Sequence, residues 1–452
     1  MARRKADGRC RIAAAPDQRR RTRCPKPSKR GSIGRFLKRL PRMLKERIAG
    51  LLDQRRPGHS LPRDFYVDDE IFRADMQAIF ETDWVFACNV VEIPRPGDYV
   101  TLKVGDNPVV VLRDREGRIA AFHNSCRHRG SLICQKERGR ANRLVCPYHQ
   151  WVYELDGSLI NARQMPEDFD RAEHGLAPVH VEVICGMVYI CLAEQPPSLA
   201  RFRAGVTPYI APHMPDRTKV AFTSTIVEEA NWKLVIENNR ECYHCAGNHP
   251  ELLVTLVEFA LPDDPLAKAQ FQGLMDRSAA RWDALDLPHK PAEGGVEFRC
   301  IRLPFNEDCL SFTMDGKPAC NKLLADFTEP DLGSVRMFRV PNNWNHFLSD
   351  HILHFRVLPL SANRTEVRTT WLVHEDAVEG VDYDLQRLTE VWLATNDEDR
   401  VLAENNHRGI LSRAYRPGPY APSEFMLNNF SEWYAGKMGD FTGGPQARIA
   451  AE

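Results

Sequence analysis

Cys126-x-His128 and, after seventeen intervening residues, Cys146-x-x-His149 bring two thiols and two imidazoles into one short stretch of chain. Zinc accepts such donors, but zinc sites with two Cys and two His usually pair like with like, C-x2-4-C with H-x3-5-H. Here each pair mixes the two types. The mixture suits a [2Fe-2S] cluster with both cysteines on one iron and both histidines on the other, a ligation that raises the reduction potential above that of an all-thiolate cluster. Arg129-Gly130 can open one loop tightly, and Pro147 fixes the other. Cys126, His128, Cys146 and His149 are the expected ligands. A cluster of this kind passes single electrons and does no substrate chemistry alone.

A second constellation supplies an acceptor. His244 and His249 lie in Glu237-Asn238-Asn239-Arg240-Glu241-Cys242-Tyr243-His244-Cys245-Ala246-Gly247-Asn248-His249-Pro250. Five residues apart on an ideal helix they point about 140° apart, so they converge only where the helix ends between them. Gly247 and Pro250 allow that ending. Two histidines and one carboxylate leave open positions on ferrous iron, as oxygen activation requires. The carboxylate must come from elsewhere in the chain; Asp399 is our choice, with Asp397 and Glu398 as rivals. An H-x4-H spacing alone is weak evidence, and the electron-transfer cluster is what gives it weight. Cys242-x-x-Cys245 can be read as a redox dithiol, but it lies away from a helix N-terminus, where a thiolate is stabilised, and we read it as structural.

The elements that must hold these residues fall into two groups. Tyr99–Val104, Val109–Arg113 and Ile119–Phe122 are short, β-branched or aromatic runs; Trp151–Glu154, Val179–Ile184 and Met187–Leu192 follow the cluster loops, and Asp156-Gly157 marks a hairpin turn. They predict a small antiparallel β-domain with the cluster at its tip. Val220–Val227 then reads as a strand, Asn231–Cys245 as a helix, Ile352–Leu358 with Glu366–Val373 as a hairpin, and Tyr383 to Ile410 as a long helix. Leu261 to Pro341 is unreadable. Strands followed by helices without βαβ alternation indicate an α+β fold. The expected divisions are a basic, disordered extension over 1–56, a helical segment over 57–83 packing on the catalytic domain, an all-β cluster domain over 84–195, and a catalytic domain over 196–452.

With 452 residues the chain exceeds a single ordinary core, and its 43% hydrophobic and 27% charged content is that of a globular protein. Val183 to Ala193 is the longest nearly apolar run and is too short to span a bilayer, which takes about 20 residues. No membrane segment and no secretory signal are expected. Thirteen cysteines in a chain of this length read as reduced, cytoplasmic thiols. The zero net charge hides an asymmetry: residues 1–56 hold roughly 20 Lys and Arg against about 4 Asp and Glu. Such a tail can serve as an arm for anionic surfaces or nucleic acid. We read it instead as a solvated stretch upstream of the fold, with translation beginning at Met43, and expect no nucleic-acid partner. From Ile33 to Leu52 apolar residues recur at helical spacing, interrupted at Pro41.

Taken together, C-x-H-x17-C-x2-H, a downstream D/E-x2-H-x4-H and a late Asp resemble the oxygenase component of Rieske non-haem iron oxygenases, over residues 58 to about 440. Within that family ENNRECYHCAGNHPEL, LAENNHRGI and AYRPGPY resemble the branch acting on quaternary ammonium compounds, the glycine betaine, stachydrine and carnitine oxygenases. The resemblance implies a helix-grip catalytic domain, a mononuclear Fe(II), and Asp399 as third ligand. It also implies a head-to-tail homotrimer in which Glu241, where aromatic-ring dioxygenases have Asp, bridges His149 of one subunit to His244 of the next. Electrons are implied to come from NAD(P)H through a separate flavin and iron–sulfur reductase. The implied reaction is oxidative N-demethylation, glycine betaine foremost, with stachydrine, carnitine or an aromatic acid as alternative substrates. A bare electron carrier is the reading from a different class, and it leaves His244, His249 and Asp399 unexplained. A small cationic substrate calls for aromatic faces, with Trp344, Phe347, Phe305 and Tyr420 as candidates. His407 stands where related members often have Gln.

Overall fold

The computed structural model describes residues 33–257, 265–292 and 294–443. Amphipathic spacing gives helix α1 (Ile33–Asp53), which runs through Pro41. Leu44–Glu452 is one compact unit and Met1–Met43 another. The expected basic extension thus has its first 32 residues outside the described part and its later residues helical. Within the larger unit, Ile48 of α1 is fully buried. Asp68 caps α3 (Asp69–Asp75) by accepting the Glu70 and Ile71 N–H groups, after the single turn of α2 (Asp64–Val67). A π-helical turn, Met76–Phe80, continues α3 and buries Met76, Ile79 and Phe80.

Two antiparallel systems follow. The first comprises β1 (Val85–Asn89), β2 (Asp98–Val104), β3 (Asn107–Arg113), β4 (Ile119–His123), β5 (Arg138–Arg140), β6 (Leu144–Val145), β7 (Val152–Tyr153), β8 (Leu159–Asn161), β9 (Pro178–Ile184) and β10 (Met187–Cys191). Seven of these make a sheet in the order β1-β10-β9-β4-β3-β2-β5, and β6-β7-β8 make a small second sheet. Val110, Leu112 and Phe122 of the large sheet pack against Trp151, Tyr153 and Leu159 around the small one. Aliphatic and aromatic burial of this kind, at about 1.5–3 kcal/mol per large side chain, holds the two cluster loops against one another.

The second system is a six-stranded antiparallel sheet, β11 (Thr218–Glu228), β12 (Phe298–Leu303), β13 (Ser334–Arg339), β14 (Asn343–Phe347), β15 (Ile352–Ser361) and β16 (Arg364–His374), in the order β11-β16-β15-β14-β13-β12. Helices surround it: α4 (Ala200–Ile210), α5 (Trp232–Asn238), α6 (Cys245–Asn248), α7 (Pro250–Leu253), α8 (Pro265–Ala284), α9 (Leu385–Ile410) and α10 (Phe425–Thr442). Helix α9 begins where Asp384 caps the Arg387 N–H and lies on the sheet, Asn396 donating to Thr369 Oγ1 at 3.0 Å. Its buried side carries Leu388, Val391 and Trp392. Antiparallel strands with helices on the sheet give the α+β architecture that the alternation signals imply.

The predicted helix over Asn231–Cys245 is shorter in the structure. Asn231 caps it, but it stops at Asn238, and the chain makes a turn before α6. The adjacent Asn238-Asn239 has low helix propensity, and both side chains are engaged elsewhere, Asn238 on Asp399 and Asn239 on Arg240. Among the described residues no helix is long and apolar enough to cross a membrane.

Candidate metal centres

Cys126 and Cys146 begin two loops of the same construction. In each, the cysteine carbonyl accepts an N–H four residues on, from Gly130 (2.9 Å) and Gln150 (3.0 Å), and the cysteine N–H donates to the carbonyl five residues on, of Ser131 and Trp151. Gly130 (φ 77°) and Gln150 (φ 57°) both occupy the left-handed region, so the tight turn has a glycine in one loop and a strained non-glycine in the other. The result is one donor set with two environments. Both cysteines are buried, and Tyr153 Oη lies 3.2 Å from Cys126 Sγ while accepting the Arg127 N–H. His128 and His149 face each other through Nδ1 atoms 3.1 Å apart, and His149 is exposed. Trp151 stacks on His128 with ring centroids 4.9 Å apart. Two nitrogens at that separation fit one iron with bonds of about 2.1 Å. The donor set therefore suits a cluster whose thiolate-held iron lies inward and whose histidine-held iron lies at the surface.

The second centre gathers residues from two remote places in the chain. His244 sits in the turn after α5, His249 immediately precedes Pro250 at the start of α7, and Asp399 lies midway along α9. His244 Nε2 and His249 Nε2 are 3.0 Å apart, and Asp399 Oδ1 is 3.3 Å from the first and 3.0 Å from the second. Three donors on adjacent corners around a metal at 2.0–2.2 Å stand about 3 Å from one another, so the set fits a facial two-histidine, one-carboxylate site. The other ring nitrogens are also held, His244 Nδ1 by Glu241 Oε1 at 2.5 Å and His249 Nδ1 by Glu398 Oε2 at 2.7 Å. Those contacts fix the tautomer that turns both Nε2 lone pairs to the common point. Of the rivals to Asp399, Glu398 serves as this outer partner, and Asp397 is exposed and paired with Arg400.

Electrostatics agree with a cation. Burial alone lowers a histidine pKa, but Asp399 and Glu241 outweigh it and raise His244 to about 9; His249 shifts the same way. Burial would raise the Asp399 carboxyl, and hydrogen bonds from the two histidines bring it below its ordinary value instead. Three carboxylates around two imidazoles leave a negative cradle.

Cysteine usage departs from expectation. Cys242 and Cys245, read from sequence as reduced thiols, form a disulfide, because the turn after α5 brings their Cα atoms to 4.9 Å. Cys245 is close enough to His244 and His249 to complete a metal set, but its sulfur is engaged in that bond, whereas Asp399 Oδ1 stands 3.3 and 3.0 Å from the two histidine nitrogens.

A cavity of 500 Å³ reaches His244 and Glu241 and is walled by Tyr66, Glu237, Tyr415 and Tyr420. A broader depression of 960 Å³ beside Trp84 and Pro197 carries none of the candidate ligands. Of the aromatic candidates, Trp344 stacks on Phe355 at 5.1 Å, and Phe305 packs on Phe312, which touches Trp392. Phe347 lies on the opposite face of β14, against His213 and His354, so it does not belong with them. Tyr420 is part of the cavity wall, its hydroxyl 3.1 Å from Ser431. His407 is buried near the end of α9 with Nδ1 unpartnered, and burial lowers its pKa. Sequence reasoning missed His346, which packs on Trp392 at 4.8 Å, and the arginines Arg240 and Arg336. The one available signal for Arg240 was its place inside the stretch that carries His244 and His249.

Residues 83–182 match the family described as Rieske [2Fe-2S] domain, and residues 215–440 match the ring hydroxylating alpha subunit (catalytic domain). The chain is 50% identical over 396 residues to the glycine betaine monooxygenase oxygenase subunit of Chromohalobacter salexigens, covering 87% of this chain and 89% of that one. It is 49% identical to the corresponding subunit of Pseudomonas aeruginosa, covering 89% and 94%. The carnitine monooxygenase oxygenase subunit of Escherichia coli is 32% identical over 42% of this chain and 52% of its own. Among solved structures, a quaternary ammonium Rieske monooxygenase described in connection with carnitine oxidation by gut microbiota superposes with TM-score 0.66 at 23% identity, covering 84% of this chain and 96% of that one. Naphthalene 1,2-dioxygenase from Rhodococcus superposes with TM-score 0.65 at 19% identity, covering 88% and 98%. These two likenesses concern the fold.

Proposed function

The chain belongs to the ring-hydroxylating oxygenase alpha-subunit family with its Rieske [2Fe-2S] domain, and on that premise we propose that it is the oxygenase component of a monooxygenase removing an N-methyl group from glycine betaine. Identity near 50% over most of the chain to betaine oxygenase subunits, joined to a two-histidine, one-carboxylate set with donors 3.0–3.3 Å apart, is the observation that carries this reading. The carnitine relatives are similar over less than half the chain, so betaine is preferred.

Cys126, His128, Cys146 and His149 would hold the cluster, and His244, His249 and Asp399 the mononuclear iron. When bound, the cluster supplies single electrons and the mononuclear iron supplies open positions at which dioxygen is activated. The net change is insertion of one oxygen atom into an N-methyl C–H bond, the second leaving as water with two electrons and two protons. The N-hydroxymethyl product then breaks its C–N bond, and formaldehyde, dimethylglycine and a proton are released.

The chain's own residues set the conditions for that change. Exposed His149 offers an entry point for electrons at the protein surface. The contact of Glu241 with His244 Nδ1 supports Glu241 as the bridge that would carry electrons from His149 of a neighbouring subunit in a homotrimer. Asn238 donates to Asp399 Oδ1 at 2.6 Å and orients the carboxylate. Electrons would come from NAD(P)H by way of a separate flavin and iron–sulfur reductase, the kind of partner that similarity to monooxygenase oxygenase subunits supports. A permanently charged nitrogen accepts no hydrogen bond, so the methyl groups are held by aromatic faces, at roughly 0.5–2 kcal/mol each.

Formaldehyde release from a panel of betaines, with a reductase and NADH present, tests the reading. Glycine betaine is expected to give one formaldehyde per NADH; a panel in which no N-methyl compound yields formaldehyde would overturn it.

A further inference from the structure

Two guanidinium groups, those of Arg240 and Arg336, meet no anion among the described residues. Arg240 is 2% exposed; its Nη1 donates to Asn239 Oδ1 at 2.7 Å, and its Nε and Nη2 have no partner. Arg336 is only half-buried as a residue, but its Nε and Nη2 are shut off from solvent and equally unpartnered. Among the described residues neither is offered a carboxylate, and burial is the one influence on each, lowering Arg240 to about 9 and Arg336 to about 10. Leaving such a charge desolvated without a counter-ion is costly. In both side chains the free atoms form the same edge of the guanidinium, the fork that grips both oxygens of one carboxylate.

Their positions converge. The Arg240 guanidinium carbon lies 4.0 Å from the Phe338 ring centre. Phe338 follows Arg336 by two residues on β13, which puts the two on one face of the sheet. That face looks toward the iron residues: Arg336 pairs in register with His346, His346 packs on Trp392, and Trp392 precedes Asp399 by seven residues, two turns of α9. From the other side Arg240 follows Asn238, the side chain on Asp399, by two residues. Phe338 is also opposite Trp344 in the β13–β14 register, and Trp344 stacks on Phe355, so the guanidinium forks adjoin the aromatic surfaces.

We infer that Arg240 and Arg336 form a carboxylate subsite beside the mononuclear centre, which selects ammonium substrates bearing a nearby carboxylate over those bearing none. The inference rests on the proposed reaction and specifies the half of the substrate that reaction leaves untouched. In a betaine one methylene separates the nitrogen from the carboxylate, so a group gripping the acid must stand within a few bond lengths of the reacting methyl. The aromatic faces serve the other end.

Equilibrium binding to the isolated oxygenase, measured by calorimetry without reductase, tests this with glycine betaine and with choline, which keeps the trimethylammonium group and replaces the acid by an alcohol. The native protein is expected to favour betaine. Arg336→Gln and Arg240→Gln should each weaken betaine by about 10- to 100-fold, the scale of a charged hydrogen-bonded pair, while leaving choline binding unchanged. Arg336→Lys and Arg240→Lys keep the charge without the fork and should fall between; they carry the test if circular dichroism shows a Gln variant to be unfolded. Equal weakening of both ligands, or an undiminished preference for betaine, overturns the subsite while the demethylation reading stands. A native protein that binds neither ligand and yields no formaldehyde overturns both.

Discussion

Glu398 and Glu241 act on the second centre through the backs of the two imidazoles, at 2.7 Å and 2.5 Å. Removing the charge from Glu398 leaves His249 free to rotate or to change tautomer. Glu398→Gln is expected to lower iron affinity by about 10- to 100-fold, measured as iron retained against a competing chelator. A second residue couples the region to pH. Burial drives the Glu237 carboxyl up to about 8, with Tyr66 and Lys233 opposing. Its folded pKa lies above the unfolded one, so the folded state binds the extra proton and its contribution to stability falls as pH rises from about 4.5 to about 8. Glu237→Gln should flatten the fall in stability across that window, where one proton's difference is worth up to ~1.4 kcal/mol per pH unit; an unchanged slope in denaturant unfolding would count against it. Ligands announce themselves in sequence because metal donors are few in kind and regular in spacing. Glu398 was visible only as a rival to Asp399, since adjacent acids on a helix cannot be ranked before their directions are known. Arg336 was invisible, because a strand arginine gives no sign that its partner is missing.

At the scale of elements, the site depends on where α5 stops. Lys233 and Asp75 form a fully buried ion pair, with Trp232 Nε1 and the Tyr434 hydroxyl also on Asp75, so α3, α5 and α10 are tied together at the helix that leads into the His244 turn. Asp75→Ala leaves the ammonium group desolvated and alone, and should destabilise the chain by about 3–5 kcal/mol in chemical denaturation. A loss below about 1 kcal/mol would mean that Lys233 finds solvent or another anion. Strands were legible because period-two alternation and turn dipeptides survive in antiparallel sheets; the hairpin at Ser361-Ala362-Asn363-Arg364 lies where its turn signal puts it. The over-long helix came from counting apolar spacing across Asn238-Asn239, where side-chain hydrogen bonds to Asp399 and Arg240 compete with the helix. The stretch from Leu261 to Pro341 stayed unreadable because β12 and β13 carry arginines on both faces, Arg299 with Arg302 and Arg336 with Arg339, which breaks the period-two alternation of a half-buried strand.

For the whole molecule, the short β-branched and aromatic runs between Tyr99 and Leu192 foretold the antiparallel strands around the cluster loops, and the order of strands and helices foretold the α+β remainder. Assembly was not legible from spacing and came from family resemblance. If electrons cross between subunits, a mixed oligomer of Cys146→Ser and His244→Ala chains should regain part of the formaldehyde release that each homogeneous variant lacks. Absence of any recovery in verified mixed oligomers would point to transfer within one chain. The most direct measurement is iron content, visible absorption and turnover of His244→Ala alone. Native protein should hold near three irons per chain, and the variant near two, with the cluster's absorption intact and formaldehyde release abolished. Loss of the cluster's absorption together with turnover, or turnover that survives the substitution, would contradict two separate iron centres with the reaction at the second.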